Sequence, residues 1–127
     1  MHATLSDHPV YRKALDIFNI SSRISGYLNQ DLAGIGPNGS EDELIYFSGD
    51  IVQQSYCLAP EIMKAEANKY SEDKYKHMES LERLYFRLMK NCKRLERSNS
   101  NGRDFLPMLR TELRKFRELQ RHWMLTL

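Results

Sequence analysis

Cysteine is scarce in this chain: two among 127 residues, Cys57 and Cys92. They fall in separate stretches with no metal-ligand spacing, so they read as reduced core thiols of a cytoplasmic protein. Long apolar runs are missing as well. No run of about 18 apolar residues offers a membrane span, and the opening MHATLSDHPVYRKAL lacks the charged-then-apolar layout of a secretory signal. Glu-x-x-His does not occur, which removes the ligand set of a di-iron bundle. The four histidines, His2, His8, His77 and His122, are scattered. The segment GIGPNG lacks both the lysine and the preceding strand of a phosphate-binding loop. No Cys-His or Ser-His-Asp arrangement has a recognisable context. These absences predict no cofactor, no metal and no catalytic residues.

What is present is a chain suited to one domain, 1–127, with enough length to bury a core without staples. Its net charge of +2 conceals an asymmetry. Residues 1–82 hold 7 Lys/Arg and 13 Asp/Glu, net −6, whereas residues 83–127 hold 12 and 4, net +8. Such halves either neutralise one another, within a fold or between subunits, or leave the basic half facing a polyanion.

Punctuation and period divide the chain into four helices. Pro9 to Asn29 carries Val10, Ala14, Ile17, Ser21, Ile24 and Leu28 at helical spacing, with Asp7 as cap. DLAGIGPNG, Asp31 to Gly39, reads as a loop. Ser40-Glu41-Asp42-Glu43 is a capping box that opens a second helix. Leu44, Ser48, Ile51, Ser55, Leu58, Ile62 and Ala65 follow on its seam, and Pro60 should kink it. ELIYFSGDIV is rich in strand-forming residues, but the capping box and the sustained seven-residue repeat favour helix. Ser71 begins a third helix with the seam Met78, Leu81, Tyr85, Leu88, Cys92 and Leu95. After the turn SNSNG, Asp104 can cap a fourth helix with Pro107 in its first turn. Its seam is Leu109, Leu113, Phe116, Gln120, Trp123 and Leu127. The pattern predicts an all-α fold, an antiparallel up-down four-helix bundle.

Tyr11-x-Lys13-Ala14-Leu15-x-Ile17 at the start of helix one, and Pro60 followed by Ala65-Glu66 in helix two, carry a resemblance. The chain resembles a family of small bacterial four-helix-bundle proteins first noted in intervening sequences of large-subunit ribosomal RNA genes. The accessory variability protein of diversity-generating retroelements is related to that family. The family's helix-two segment runs Pro-Ser-Asn-Ile-Ala-Glu-Gly. Here Pro60-Glu61-Ile62-Met63-Lys64-Ala65-Glu66 displaces the Ala-Glu pair by one residue and lacks the small polar pair after proline. The resemblance implies a homo-oligomer, commonly a ring of five, and nucleic-acid association. It implies no enzyme activity.

Arg117 and His122 stand at a spacing known from helical-bundle ribonucleases. Five residues turn a helix by about 140°, so the two do not share a face. Glu118 beside the arginine would also repel a scissile phosphate. The arginines make better sense as stripes. Arg83, Arg87, Lys90, Arg94 and Arg97 lie two residues past the seam of helix three and point outward. Arg110, Arg114, Arg117 and Arg121 lie one residue past the seam of helix four, on its flank. Together they offer phosphates a broad contact without base readout. The other use is pairing with Glu61, Glu66 or Asp50 of another subunit, or simple solvation. Phe47 and Phe86 widen the apolar faces beyond the seams and, with Tyr56, suggest an oligomer interface. The expected function is a non-enzymatic, self-associating scaffold or accessory protein. The alternative is a nucleic-acid-binding factor for RNA or DNA, with a ribonuclease as the remote third.

Overall fold

The computed structural model describes residues 8–32, 44–98 and 100–127. Its elements are α1 Pro9–Leu32, α2 Leu44–Ala67, α3 Asp73–Leu95 and α4 Leu106–Met124, with a 3-10 turn at Asn101–Phe105 before the last. Among the described residues there is no strand. LIYFSGDIV is helical because helix puts Ser48, Ile51, Ser55 and Leu58 on one face, and that face is buried. The capping box Ser40–Glu43, the Asp7 cap and most of the glycine loop lie outside the described residues.

Besides α3 opening at Asp73 rather than Ser71 and α4 ending at Met124, short of Leu127, two boundaries differ from the sequence reading. α1 runs on through Asp31 to Leu32. The extra turn has a partner waiting, since Asp31 accepts a hydrogen bond of 2.6 Å from the Ser100 hydroxyl. At the other difference, Asp104 does not cap α4. It sits in the 3-10 turn, whose cap is Ser100, accepting from the Gly102 N–H. α4 then starts at Leu106 with Pro107 in its first turn, where a missing N–H costs nothing. Gly102 is required for contact: a Cβ there would meet the Tyr27 Cβ at 3.1 Å and the Leu28 side chain at 3.4 Å. α2 continues through Pro60, which has no N–H to give the Tyr56 carbonyl.

The predicted seams form the core except at Leu44, Met78 and Leu127, which are only half-buried. Ile17, Leu28, Ile51, Leu58, Ile62, Leu81, Leu88, Leu109, Leu113 and Phe116 are all completely buried. Each removes enough apolar surface from water to contribute about 1.5–3 kcal/mol. α1 packs on α2, α2 on α3, α3 on α4, and α4 on α1, so the four helices close a cycle around that core.

Between α1 and α2 the seam is partly polar. The Ser21 and Ser55 hydroxyls meet at 2.7 Å and those of Ser25 and Ser48 at 2.8 Å, with Ser48 also donating to Asn29 Oδ1 at 3.0 Å. Small side chains let the helices approach, and each buried hydroxyl answers another, so desolvation is compensated. Asn91 Nδ2 donates to Gln54 Oε1 at 3.1 Å between α3 and α2.

Candidate functional site

The two basic stripes divide into spent and free cations. On α4, Arg110 donates to Glu96 at 2.6 Å and Arg117 to Glu82 at 2.7 Å, both half-buried links to α3. On α3, Arg94 lies over the Phe47 ring at 4.8 Å and donates to Asn91 at 3.3 Å. These three are occupied within the chain. Arg83, Arg87, Lys90, Arg97, Arg114 and Arg121 are exposed. Arg83 donates to Ser80 at 3.1 Å, and Arg121 comes only within 3.9 Å of Glu118, both ends in open solvent. Among the described residues, Arg87, Lys90, Arg97 and Arg114 have no ion-pair partner.

The carboxylates named as possible partners in a second subunit are partly engaged at home. Glu61 meets His77 Nδ1 at 2.9 Å, and Glu66 accepts from Trp123. Nor do α1 and α2 make an acidic surface. Between them they hold four Lys/Arg and five Asp/Glu, net −1, because the acidic excess of the first half lies outside these two helices.

Between α3 and α4 lies a groove of about 400 Å³, lined by Tyr85, Phe86, Arg114, Arg117, Glu118 and Arg121, so of the exposed stripe members only Arg114 and Arg121 line it. Phe86 is 57% exposed, edge-on to Tyr85 at 5.3 Å. The Arg117 guanidinium lies 5.0 Å from both ring centroids. Glu82 and the two rings therefore hold Arg117 in place.

A second groove, about 290 Å³, runs along α1 and α2 and is lined by Tyr11, Leu15, Phe18, Tyr56, Ala59, Pro60 and Met63, among others. Leu15 is 43%, Met63 49% and Tyr56 61% exposed. Tyr56 stands edge-on to Phe18 at 5.6 Å. Of the three expected interface residues, Tyr56 and Phe86 are exposed but on different helix pairs. Phe47 is half-buried against the core under Arg94, so its ring is largely used inside the chain.

The sequence reading missed Leu15, Phe18 and Met63. A signal was there: Tyr11, Leu15 and Phe18 form a row one residue past the α1 seam, and Tyr56, Ala59 and Met63 do the same on α2. It missed the cross-links as well. Lys13 bonds Glu112 at 2.7 Å between α1 and α4, and this hydrogen bond holds the Glu112 carboxyl below its usual range. Nothing in a single chain's spacing announces such pairs.

The fold does not bring Arg117 and His122 into one pocket. Arg117 lines the α3–α4 groove, whereas His122 lines a small pocket with His8, Val10 and Trp123 at the start of α1. Cys92 is buried, and that burial, with Glu96 nearby, pushes its thiol up to about 12, so it is no nucleophile at neutral pH. Among the described residues no three His, Cys, Asp or Glu side chains gather closely enough to hold a metal ion. Likewise no described helix is long and apolar enough to cross a membrane.

No protein-family pattern, characterised protein or solved structure matches the chain.

Proposed function

We propose that this protein is a non-enzymatic, self-associating scaffold or accessory protein of the cytoplasm, built as an antiparallel up-down four-helix bundle in one domain. Antiparallel packing is supported by contacts whose numbers run in opposite directions. Ser21 meets Ser55 while Ser25 meets Ser48; Glu82 meets Arg117 while Glu96 meets Arg110.

The observation that carries self-association is the apolar groove on α1 and α2. Leu15, Tyr56 and Met63 leave about half their surface in water on one continuous face. Charge favours a second copy as the occupant. Two α3–α4 faces repel one another through their free arginines. The α1 and α2 helices are close to neutral, so two copies meet there without that cost. A face that meets itself closes at two copies, whereas a ring of five, as in the resembled family, needs it to meet a different face. The Ala-Glu and Lys-Ala positions behind that resemblance have local tasks here: Lys13 and Glu66 tie helices together, and Ala14 and Ala65 are buried.

Sedimentation velocity over a micromolar concentration series tests this reading. A discrete oligomer is expected, and a monomer at every concentration overturns it.

A second reading, contact with RNA or DNA through α3 and α4, is favoured by the six exposed basic side chains of the stripes. Binding that weakens steeply with added salt is expected. No binding at low salt removes it.

A further inference from the structure

We infer that the α3–α4 groove binds single-stranded nucleic acid, one base lying on Phe86 with the flanking phosphates on the free arginines of both helices. The inference rests on the second reading above and narrows it from nucleic acid at large to a strand with unpaired bases.

Phe86 is more than half exposed, and the chain itself lays a cation, the Arg117 guanidinium, over its ring. Tyr85, edge-on at 5.3 Å, and Arg117, over one face, fix the ring's orientation and leave the other face for a base. Arg114 and Arg121 stand three residues before and four after Arg117, hence on the same side of α4, and both line the groove or its rim. Arg83 and Lys90 stand in the same relation to Phe86 on α3, and both are exposed. A presented aromatic ring is thus bracketed by exposed cations on two helices.

Duplex nucleic acid offers phosphates but keeps its bases stacked inside, so it uses the cations and leaves the ring bare. A single strand uses both, since every base has a flat face to stack. An acidic peptide uses the arginines without needing the ring. Arginine at Arg83, Arg87, Arg97, Arg114 and Arg121 also suits the bidentate geometry of phosphate. From Arg83 to the end of α3 at Leu95 the track runs about 18 Å, with Arg97 just beyond it, which fits a repeating polyanion better than one isolated charge. Of the opposing charges, Glu82 is taken up by Arg117 and Glu118 on the groove wall has Arg121 beside it.

Fluorescence anisotropy with a short labelled oligouridylate and a blunt duplex of equal length tests the inference. The unaltered protein should prefer the strand. Phe86→Leu should weaken strand binding about fivefold to a hundredfold, the range supplied by one base-aromatic stack. It should leave duplex binding and the salt slope unchanged, and Phe86→Tyr should keep strand affinity. Arg114→Gln with Arg121→Gln should weaken both ligands and lower the strand's salt slope by about 1.4. Equal affinity of Phe86→Leu and the parent protein for the strand overturns the inference. So does an equal loss on duplex, or displacement of the strand by polyglutamate. A changed sedimentation coefficient for Phe86→Leu also overturns it, because the ring would then belong to a self-interface. If neither ligand binds at low salt, the nucleic-acid reading itself falls, and this inference with it.

Discussion

The Trp123 indole N–H donates to Glu66 Oε1 at 2.6 Å, joining the last turn of α4 to the last turn of α2. Trp123 is only 4% exposed, so its N–H has little access to water if that carboxylate is removed. Glu66→Ala should therefore destabilise the fold by about 1–3 kcal/mol, the cost of an orphaned buried donor. A urea titration followed by the emission of this single tryptophan should show a lower midpoint with unchanged slope. An unchanged midpoint would mean that the bond contributes nothing.

The serine pair between α1 and α2 makes a different prediction. Removing one hydroxyl, as in Ser21→Ala, leaves Ser55 buried without its partner and should cost about 1–3 kcal/mol. Removing both should cost less than either alone, because two apolar methyls then face each other. A thermal-unfolding cycle of the two singles and the double measures this. Simple additivity would show that the hydroxyls do not depend on one another.

Lys13 and Glu112 predict a pH dependence. The folded state holds the Glu112 carboxyl low, so its stabilisation is present above the ordinary glutamate range and is lost as pH falls through the lowered value. Glu112→Gln should cost about 1 kcal/mol at neutral pH, and the difference from the parent protein should vanish in acid. Unfolding midpoints of both proteins across that range check it. A gap that persists in acid would rule the ion pair out as the cause.

The thiols should separate cleanly. Cys57 is half-buried, and Cys92 is buried with a pKa pushed up to about 12. An aromatic disulfide reagent near neutral pH should label Cys57 in the native protein and Cys92 only after unfolding. Labelling of Cys92 first would contradict its placement in the core.

The helices were legible in the sequence because burial repeats with the helix period. Val10 to Leu28, Leu81 to Leu95 and Leu109 to Trp123 were all readable as seams, and each seam is buried. The site was legible only in part. Outward-pointing arginines could be placed on stripes, but spacing within one helix does not say which carboxylate a neighbouring helix presents. Hence Arg110 and Arg117 look the same as Arg114 and Arg121 in the sequence, and only the fold separates the half-buried pairs from the exposed side chains. Phe47 and Phe86 likewise share an off-seam position. An arginine lies over each ring, but Phe47 is half-buried against the core whereas a groove opens at the exposed Phe86.

Static light scattering of the parent protein beside Leu15→Asp with Tyr56→Asp tests the division of faces most directly. Both positions are exposed, so the doubly substituted chain should keep its helical circular dichroism. The parent is expected to scatter as a discrete oligomer and the substituted chain as a monomer. A parent that is already monomeric, or a substituted chain of undiminished mass, would contradict self-association through α1 and α2.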